Sequence, residues 1–278
     1  MNHPTIAIIG AGNMGSSLIT GLIENGHPRD KLWAADQNKE KLEELVRTFQ
    51  IHTTTDNKQA VEAASLVIFA IKPQTFHQIM VELSPVIQAS KPLILSIAAG
   101  IREENIQHGL GGHIAIVRAM PNTPALIGCG ATALYANQYV TSEQRNLAES
   151  ILRAVGVVVW VEQEALMDVV TALSGSGPAY FFLVMEALQH TAEQLGLDPD
   201  VARLLTLQTA LGASRMAIES GKPLDELRRN VTSPGGTTEK AISILEENNL
   251  RGLFQKAVHG AKLRSEELAA LLGGKTNV

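Results

Sequence analysis

Through the first half of the chain, short apolar runs alternate with longer amphipathic stretches. The runs are Thr5 to Ile9, Leu32 to Ala35, Leu66 to Ile71, Leu93 to Ile97, Ile114 to Arg118, Ala131 to Tyr135 and Val157 to Val161. Between them, Lys39 to Phe49, Phe76 to Ala89 and Ser142 to Val155 repeat apolar residues at helical spacing. Runs that stay apolar throughout, separated by helices, predict a parallel sheet covered on both faces. After Val161 the strand signal stops. Helices are expected at Glu164 to Leu173, Ala179 to Leu195, Pro199 to Ser220, Pro223 to Asn230, Glu239 to Glu247 and Leu250 to Leu272. The predicted fold class is therefore α/β, with a doubly wound parallel sheet over residues 1–161 and an all-helical domain over residues 162–278. Several later helices are apolar over much of their surface, as in Tyr180-Phe181-Phe182-Leu183-Val184-Met185, so a partner subunit is expected to cover them.

The first apolar run leads straight into Gly10-Ala11-Gly12-Asn13-Met14-Gly15 and an amphipathic stretch that ends near Asn25-Gly26. Strand, glycine turn and helix in that order form a dinucleotide-binding pattern of Rossmann type. Gly10 permits the tight turn, Gly12 lets the backbone approach a pyrophosphate, and Gly15 brings the helix close to the strand. Asp36 closes the second run about 20 residues later, where such folds place an acid on the ribose. A carboxylate there accepts from a free 2′-hydroxyl and repels a 2′-phosphate, which favours NAD. Lys39 and Lys41 follow closely and could neutralise a phosphate, so the choice of NAD or NADP stays open.

Composition narrows the partners. The chain has 278 residues, 45% hydrophobic, with a net charge of −5 and no basic cluster, so nucleic acid is not an expected partner. Cys129 stands alone and cannot form an intrachain disulfide, and the N-terminus enters the first strand without a charged and apolar leader. A cytoplasmic protein is expected. No uninterrupted apolar stretch reaches bilayer length, so no membrane association is expected. The eight histidines are scattered, none in a spacing that binds metal, and no metal site is expected.

In an open parallel sheet, ligands lie beyond the carboxyl ends of the strands. Three loops there carry candidate residues: Ala70-Ile71-Lys72-Pro73-Gln74, Ser96-Ile97-Ala98-Ala99-Gly100, and Arg118-Ala119-Met120-Pro121-Asn122-Thr123-Pro124. Ala98 and Ala99 are small enough for a nicotinamide ring to lie against the backbone, and Asn122 could bond its carboxamide. Lys72 is either half of a structural ion pair or a site residue. Pro73, Pro121 and Pro124 also have a plain reading as turn chemistry.

Two later segments contain no histidine, cysteine, lysine, arginine or carboxylate: Leu173-Ser174-Gly175-Ser176-Gly177-Pro178-Ala179-Tyr180, read as a link between helices, and Thr232-Ser233-Pro234-Gly235-Gly236-Thr237-Thr238. Chemistry that needs a strong acid, a metal or a nucleophile would place such a group there. In the second segment, glycine amides and a helix N-terminus converge on what a small carboxylate requires, and Thr237 and Thr238 add hydroxyls. Ser233 as an N-cap with Pro234 at the first helical position is the structural alternative.

These motifs together resemble the pyrroline-5-carboxylate reductases, over essentially the whole chain. The resemblance is carried by Gly10 to Gly15, Ala70 to Gln74, Met120 to Pro124, Leu173 to Tyr180 and, most specifically, Ser233-Pro234-Gly235-Gly236-Thr237-Thr238. It implies a Rossmann domain, a helical domain interlocked with its twin in a homodimer or higher assembly, NADPH as usual donor with NADH accepted by some members, and 1-pyrroline-5-carboxylate as substrate. By the same resemblance, Gly10, Ala11, Gly12, Asn13, Met14 and Gly15 hold the pyrophosphate, and Asn57 contacts the adenosine half of the cofactor. Ala70, Lys72, Pro73, Ala98 and Met120 lie near the nicotinamide half. Glu164, Asn230 and Ser233 to Thr238 close the other side, with the amides of Gly236 and Thr237 on the substrate carboxylate and the Thr238 hydroxyl beside the ring nitrogen. Asp36 departs from the small or basic residue of many relatives, which leaves NADH as an alternative donor.

Two other classes share parts of the pattern. The β-hydroxyacid dehydrogenases use a lysine soon after a glycine-rich turn, but the segment following Gly175-Ser176-Gly177 has no lysine before Arg203. A sensor that binds nicotinamide without turnover would not need the Thr238 loop, which is intact.

Overall fold

The computed structural model describes residues 3–273. Eight strands form one sheet: β1 (Ile6–Ile9), β2 (Leu32–Ala35), β3 (His52–Thr54), β4 (Leu66–Phe69), β5 (Leu93–Ser96), β6 (Ile116–Met120), β7 (Gly130–Ala136) and β8 (Gly156–Trp160). Their spatial order is β3-β2-β1-β4-β5-β6-β7-β8. Every neighbouring pair is parallel except β6 and β7. The expected parallel sheet is thus mostly parallel, with one antiparallel pair. Only a 3₁₀ turn at Thr123–Ile127 joins β6 to β7, too short a link for a crossover, so the chain returns antiparallel.

Helices α1 (Asn13–Glu24), α2 (Lys39–Phe49), α3 (Asn57–Glu62), α4 (Pro73–Ser90), α5 (Glu103–Gly109) and α6 (Ser142–Arg153) accompany the sheet. Side chains of β1 alternate between two cores. Ile6 and Ile8 pack with Leu18 and Ile19 of α1 on one face, while Ala7 and Ile9 pack with Phe76 and Met80 of α4 on the other. Both faces are thus dry, which is why the central strands carry no polar alternation.

Beyond β8 come α7 (Leu166–Val170), α8 (Gly177–Gln194), α9 (Pro199–Ser220), α10 (Leu224–Asn230), α11 (Thr237–Glu247) and α12 (Leu250–Gly273). Thr171–Gly175 is a π-turn that carries α7 into α8. The segment read as an interhelical link is therefore helical, because one wide turn absorbs its small residues without breaking the backbone ladder. This continuity makes Leu166–Gln194 a 29-residue helical run, long and apolar enough by length and composition to cross a bilayer, with 17% of its most apolar window buried. The sequence pattern hid that stretch behind Ser174 to Pro178.

The chain forms two compact units, one holding residues up to Ser176 together with those from Ala261 onward, the other Gly177–Gly260. The predicted boundary at 161 follows the last strand, whereas compactness keeps 162–176 with the sheet. Met167 is buried there, and the Ser265 hydroxyl of α12 donates to the Asp168 carboxylate at 2.6 Å. Leu272 packs against the core on the α4 face.

Candidate active site

Parallel pairing brings the carboxyl ends of β1, β2, β4, β5 and β6 to one edge of the sheet, and with them most of the expected cofactor residues. Gly10 follows β1 at φ +102°, in the left-handed region, and its N–H donates to the Ala35 carbonyl at 2.8 Å. A Cβ on Gly10 would stand 2.5 Å from the Ala70 carbonyl oxygen, so the β1 and β4 ends lie close together. Gly12 caps α1 with ordinary φ, and a Cβ there would meet nothing within 4 Å. Open space in front of a helix N-terminus is what a pyrophosphate requires, so these residues fit a dinucleotide. Gly15 is buried at the first turn of α1, against the Gly10 carbonyl and Ile8.

Asp36 is fixed by two backbone donors. Its Oδ2 accepts from the Ala11 N–H at 2.8 Å and its Oδ1 from the Asn38 N–H at 2.9 Å. The carboxylate thus ties the glycine turn to the end of β2. Lys41 lines the groove that opens beside Gly12 and Asn13, and Lys39 a different groove against Thr53 to Thr55. Asn57, the first residue of α3, is buried. Lys72 is the exposed N-cap of α4 with Pro73 at the first helical position, and no ion pair among the described residues includes Lys72. Ala98 is buried just past β5.

Met120 ends β6 and touches Gly175 of the π-turn, where a Cβ would come within 2.6 Å of the methionine methyl. Asn122 is committed to the scaffold. Its Oδ1 accepts from the Ala131 N–H at 2.8 Å and its Nδ2 donates to the Ser174 carbonyl at 3.0 Å. The side chain expected on the nicotinamide carboxamide therefore braces β7 and the π-turn.

Glu164 accepts from Arg118 Nη1 and from the Glu103 N–H, each at 2.6 Å, through the same Oε1. Asn137 donates to Glu103 at 2.7 Å. Burial first, then the Glu164 and Glu103 carboxylates, push the Tyr135 hydroxyl above its usual range, with Arg118 opposing. Sequence reasoning assigned only Glu164 of this polar cluster. A charged Arg118 inside an otherwise apolar strand is the signal that could have exposed it, since such a residue is buried only when paired.

The second group lies in the other unit. Asn230 ends α10, and the chain turns at Ser233-Pro234-Gly235-Gly236, where the Gly236 N–H donates to the Ser233 carbonyl at 3.0 Å. Gly235 has φ +71°, so proline and glycine occupy the two centre positions of a type II turn. Gly236 caps α11 without a side chain, and the helix begins at Thr237, two residues earlier than the pattern suggested. Ser233 is thus not the N-cap. Because the Gly236 amide closes the turn, the donors open at this helix end are those of Thr237, Thr238 and Glu239, which have no partner inside a helix. The Gly235 N–H donates to Glu239 Oε2 at 2.7 Å. Among the described residues, no group of three or more histidines, cysteines or carboxylates could hold a metal.

A glycine turn at the carboxyl edge of a Rossmann sheet, followed by a helical region, defines a dinucleotide-binding protein. Comparison with known proteins makes this specific. The family model for pyrroline-5-carboxylate reductase dimerisation matches residues 164–268, and that for NADP oxidoreductases, coenzyme F420-dependent, matches residues 5–100. The Pseudomonas aeruginosa pyrroline-5-carboxylate reductase is 46% identical over 98% of this chain and 100% of its own length. A Coxiella burnetii pyrroline-5-carboxylate reductase structure is 48% identical, with a TM-score of 0.93 over 96% of this chain and 99% of that one. A Plasmodium falciparum pyrroline carboxylate reductase with NADP bound is 27% identical, with a TM-score of 0.86 over 97% of this chain and 99% of that one. The chain belongs to the pyrroline-5-carboxylate reductases, NADP-binding oxidoreductases of proline biosynthesis.

Proposed function

We propose that the enzyme seats the carboxylate of 1-pyrroline-5-carboxylate on the Thr237 and Thr238 amides at the start of α11, with the Thr238 hydroxyl beside the ring nitrogen. The observation that carries this reading is the uncharged type II turn delivering a helix N-terminus whose first amides are open. Reduced nicotinamide supplies the hydride, which adds to the C=N carbon to give L-proline. Protonation of the ring nitrogen makes that carbon electrophilic, so the protein need not form a nucleophile. Its residues hold the ring in one orientation. Gly10 to Gly15 and the α1 N-terminus take the pyrophosphate, with Asp36 and Asn57 towards the adenosine half. Ala70, Lys72, Pro73, Ala98 and Met120 take the nicotinamide half, Asn230 adds a contact to the cofactor, and Glu164 completes the substrate side. Mixing purified protein with the imine and reduced cofactor, and following loss of nicotinamide absorbance, tests the reading. No turnover ends it.

Both NADPH and NADH serve as donors in this proposal. Asp36 disfavours the 2′-phosphate because two like charges about 4 Å apart cost from about 1 kcal/mol in bulk water to about 4 kcal/mol near a protein surface. Asp36→Ser is expected to raise the NADPH-to-NADH ratio of kcat/KM by about tenfold. Looser tethering of Ala11 would lower both values together, so an unaltered ratio removes Asp36 from donor choice.

We further propose a homodimer acting in the cytoplasm. Phe181 and Leu204 are each 67% exposed in the isolated chain and lie within the dimerisation match, so a second subunit rather than lipid is the proposed cover for the apolar run. Light scattering on protein from the soluble cell fraction should give twice 29.8 kDa or a multiple of that dimer mass. A monomer would refute the assignment.

A further inference from the structure

We propose that Glu239 is a positioning residue for the substrate carboxylate, pinning the Pro234–Gly235 peptide so that α11 keeps its N-terminal amides in place. This rests on the carboxylate seat proposed above. Types I and II of a β-turn share their end residues and differ by rotation of the central peptide, and a glycine at the third position is compatible with both. Ser233-Pro234-Gly235-Gly236 therefore does not by itself choose between them. The choice is made from outside the turn. The N–H of the central peptide belongs to Gly235, and it donates to Glu239 Oε2 at 2.7 Å, while Gly235 sits at φ +71° as type II demands.

Glu239 is the third residue of α11, one helical turn from the peptide it holds. An acid at this position ordinarily reaches back to the N-cap amide. Here the N-cap amide is spent on the Ser233 carbonyl, and the carboxylate reaches one residue further. The contact is charge-assisted and short, which makes it stronger than a neutral hydrogen bond. Without it the central peptide is free to rotate, exchanging an N–H for a C=O at the rim of the seat. Occupying the Gly235 amide also directs an incoming anion to Thr237 and Thr238.

A different role would be the general benefit of a negative charge at a helix N-terminus. Two substitutions separate the roles. Glu239→Gln keeps the reach and an acceptor oxygen but loses the charge, whereas Glu239→Asp keeps the charge and loses one methylene of reach. Steady-state kinetics of the full-length enzyme, varying 1-pyrroline-5-carboxylate at saturating cofactor, are expected to place Glu239→Gln within about twofold of the parent KM. Glu239→Asp should raise it about tenfold, with kcat and the cofactor KM within about twofold. A parent-like KM in Glu239→Asp, or a Glu239→Gln as impaired as Glu239→Asp, overturns the proposal. Gly236→Val tests the seat itself: an unchanged substrate KM there would remove the carboxylate from this loop. A raised KM in that variant beside a parent-like Glu239→Asp would remove only the pin.

Discussion

Thr238→Ala lowers kcat by about 30-fold and leaves the KM for reduced cofactor unchanged. The expectation comes from what the substrate lacks and what it already has. A protonated cyclic imine carries its own electrophile, so the protein's contribution is orientation and solvation of the ring nitrogen. Thr238 is the second residue of α11 and is half-buried, with a hydroxyl that both donates and accepts. Losing one hydrogen bond to a charged group costs about 2 kcal/mol, and that loss falls on the transition state as a factor of about 30 in rate. Thr238→Ser keeps the hydroxyl and should stay within about threefold of the parent, while Thr238→Val keeps the shape and should match the alanine variant. Cofactor affinity is expected to be unaffected because the proposed hold on the dinucleotide runs through the Gly10 to Gly15 turn and not through the Thr238 hydroxyl. Steady-state assays varying each substrate in turn check this, and an alanine variant with the parent kcat would exclude Thr238 from the reaction.

What the pattern of residues revealed depended on whether the cause was local. The glycine turn was legible because positive φ and close backbone approach are properties of single positions: Gly10 shows both, and Gly235 shows positive φ with open space around it. The buried strands were legible because sheets covered on both faces need continuous apolar runs. Strand β3, His-Thr-Thr, is short and polar at the sheet edge and offered no run to detect. Helices α3 and α5 have 6 and 7 residues, too few to establish a period. The direction of β7 was hidden because an apolar run has no sense. Only the brevity of its link to β6 records it.

Side-chain commitments were the least legible part of the site. Arg118 and Glu164 meet across 46 positions, and Asn122 reaches Ser174 across 52, so neither partnership leaves a mark on adjacent residues. Asp36 was recognisable as the acid after the second strand, yet its hold on Ala11 depends on two turns meeting in space. The two loops proposed to bind anions share that device. In each, a resident carboxylate takes one backbone amide: Asp36 at Ala11 and Glu239 at Gly235. A glycine-rich loop gains access for its ligand through small residues and gives up rigidity for the same reason. An internal acceptor on one amide restores a single conformation while leaving the neighbouring amides open.

Gly10→Ala is expected to lose both stability and cofactor affinity, whereas Gly12→Ala loses affinity alone. At Gly10, φ is +102°, a conformation that costs an L-residue about 1–3 kcal/mol. The added methyl would also stand 2.5 Å from the Ala70 carbonyl oxygen and 2.9 Å from its carbon, which are backbone atoms at the end of β4 and cannot rotate aside. Strain and overlap together should reach about 4 kcal/mol, equivalent to roughly 10 °C in Tm for a domain of this size. Relief would come only by parting β1 from β4 at the edge where the pyrophosphate is proposed to pass, so affinity for the cofactor is expected to fall with stability. Gly12 has φ −75°, and a methyl there meets no protein atom within 4 Å. Its cost appears only when a ligand needs that space. Thermal unfolding without cofactor, paired with fluorescence titration by NADPH, separates the two. A Gly10→Ala protein that melts with the parent would show that the turn yields after all, and a Gly12→Ala protein that binds NADPH as the parent does would place the pyrophosphate away from this helix end.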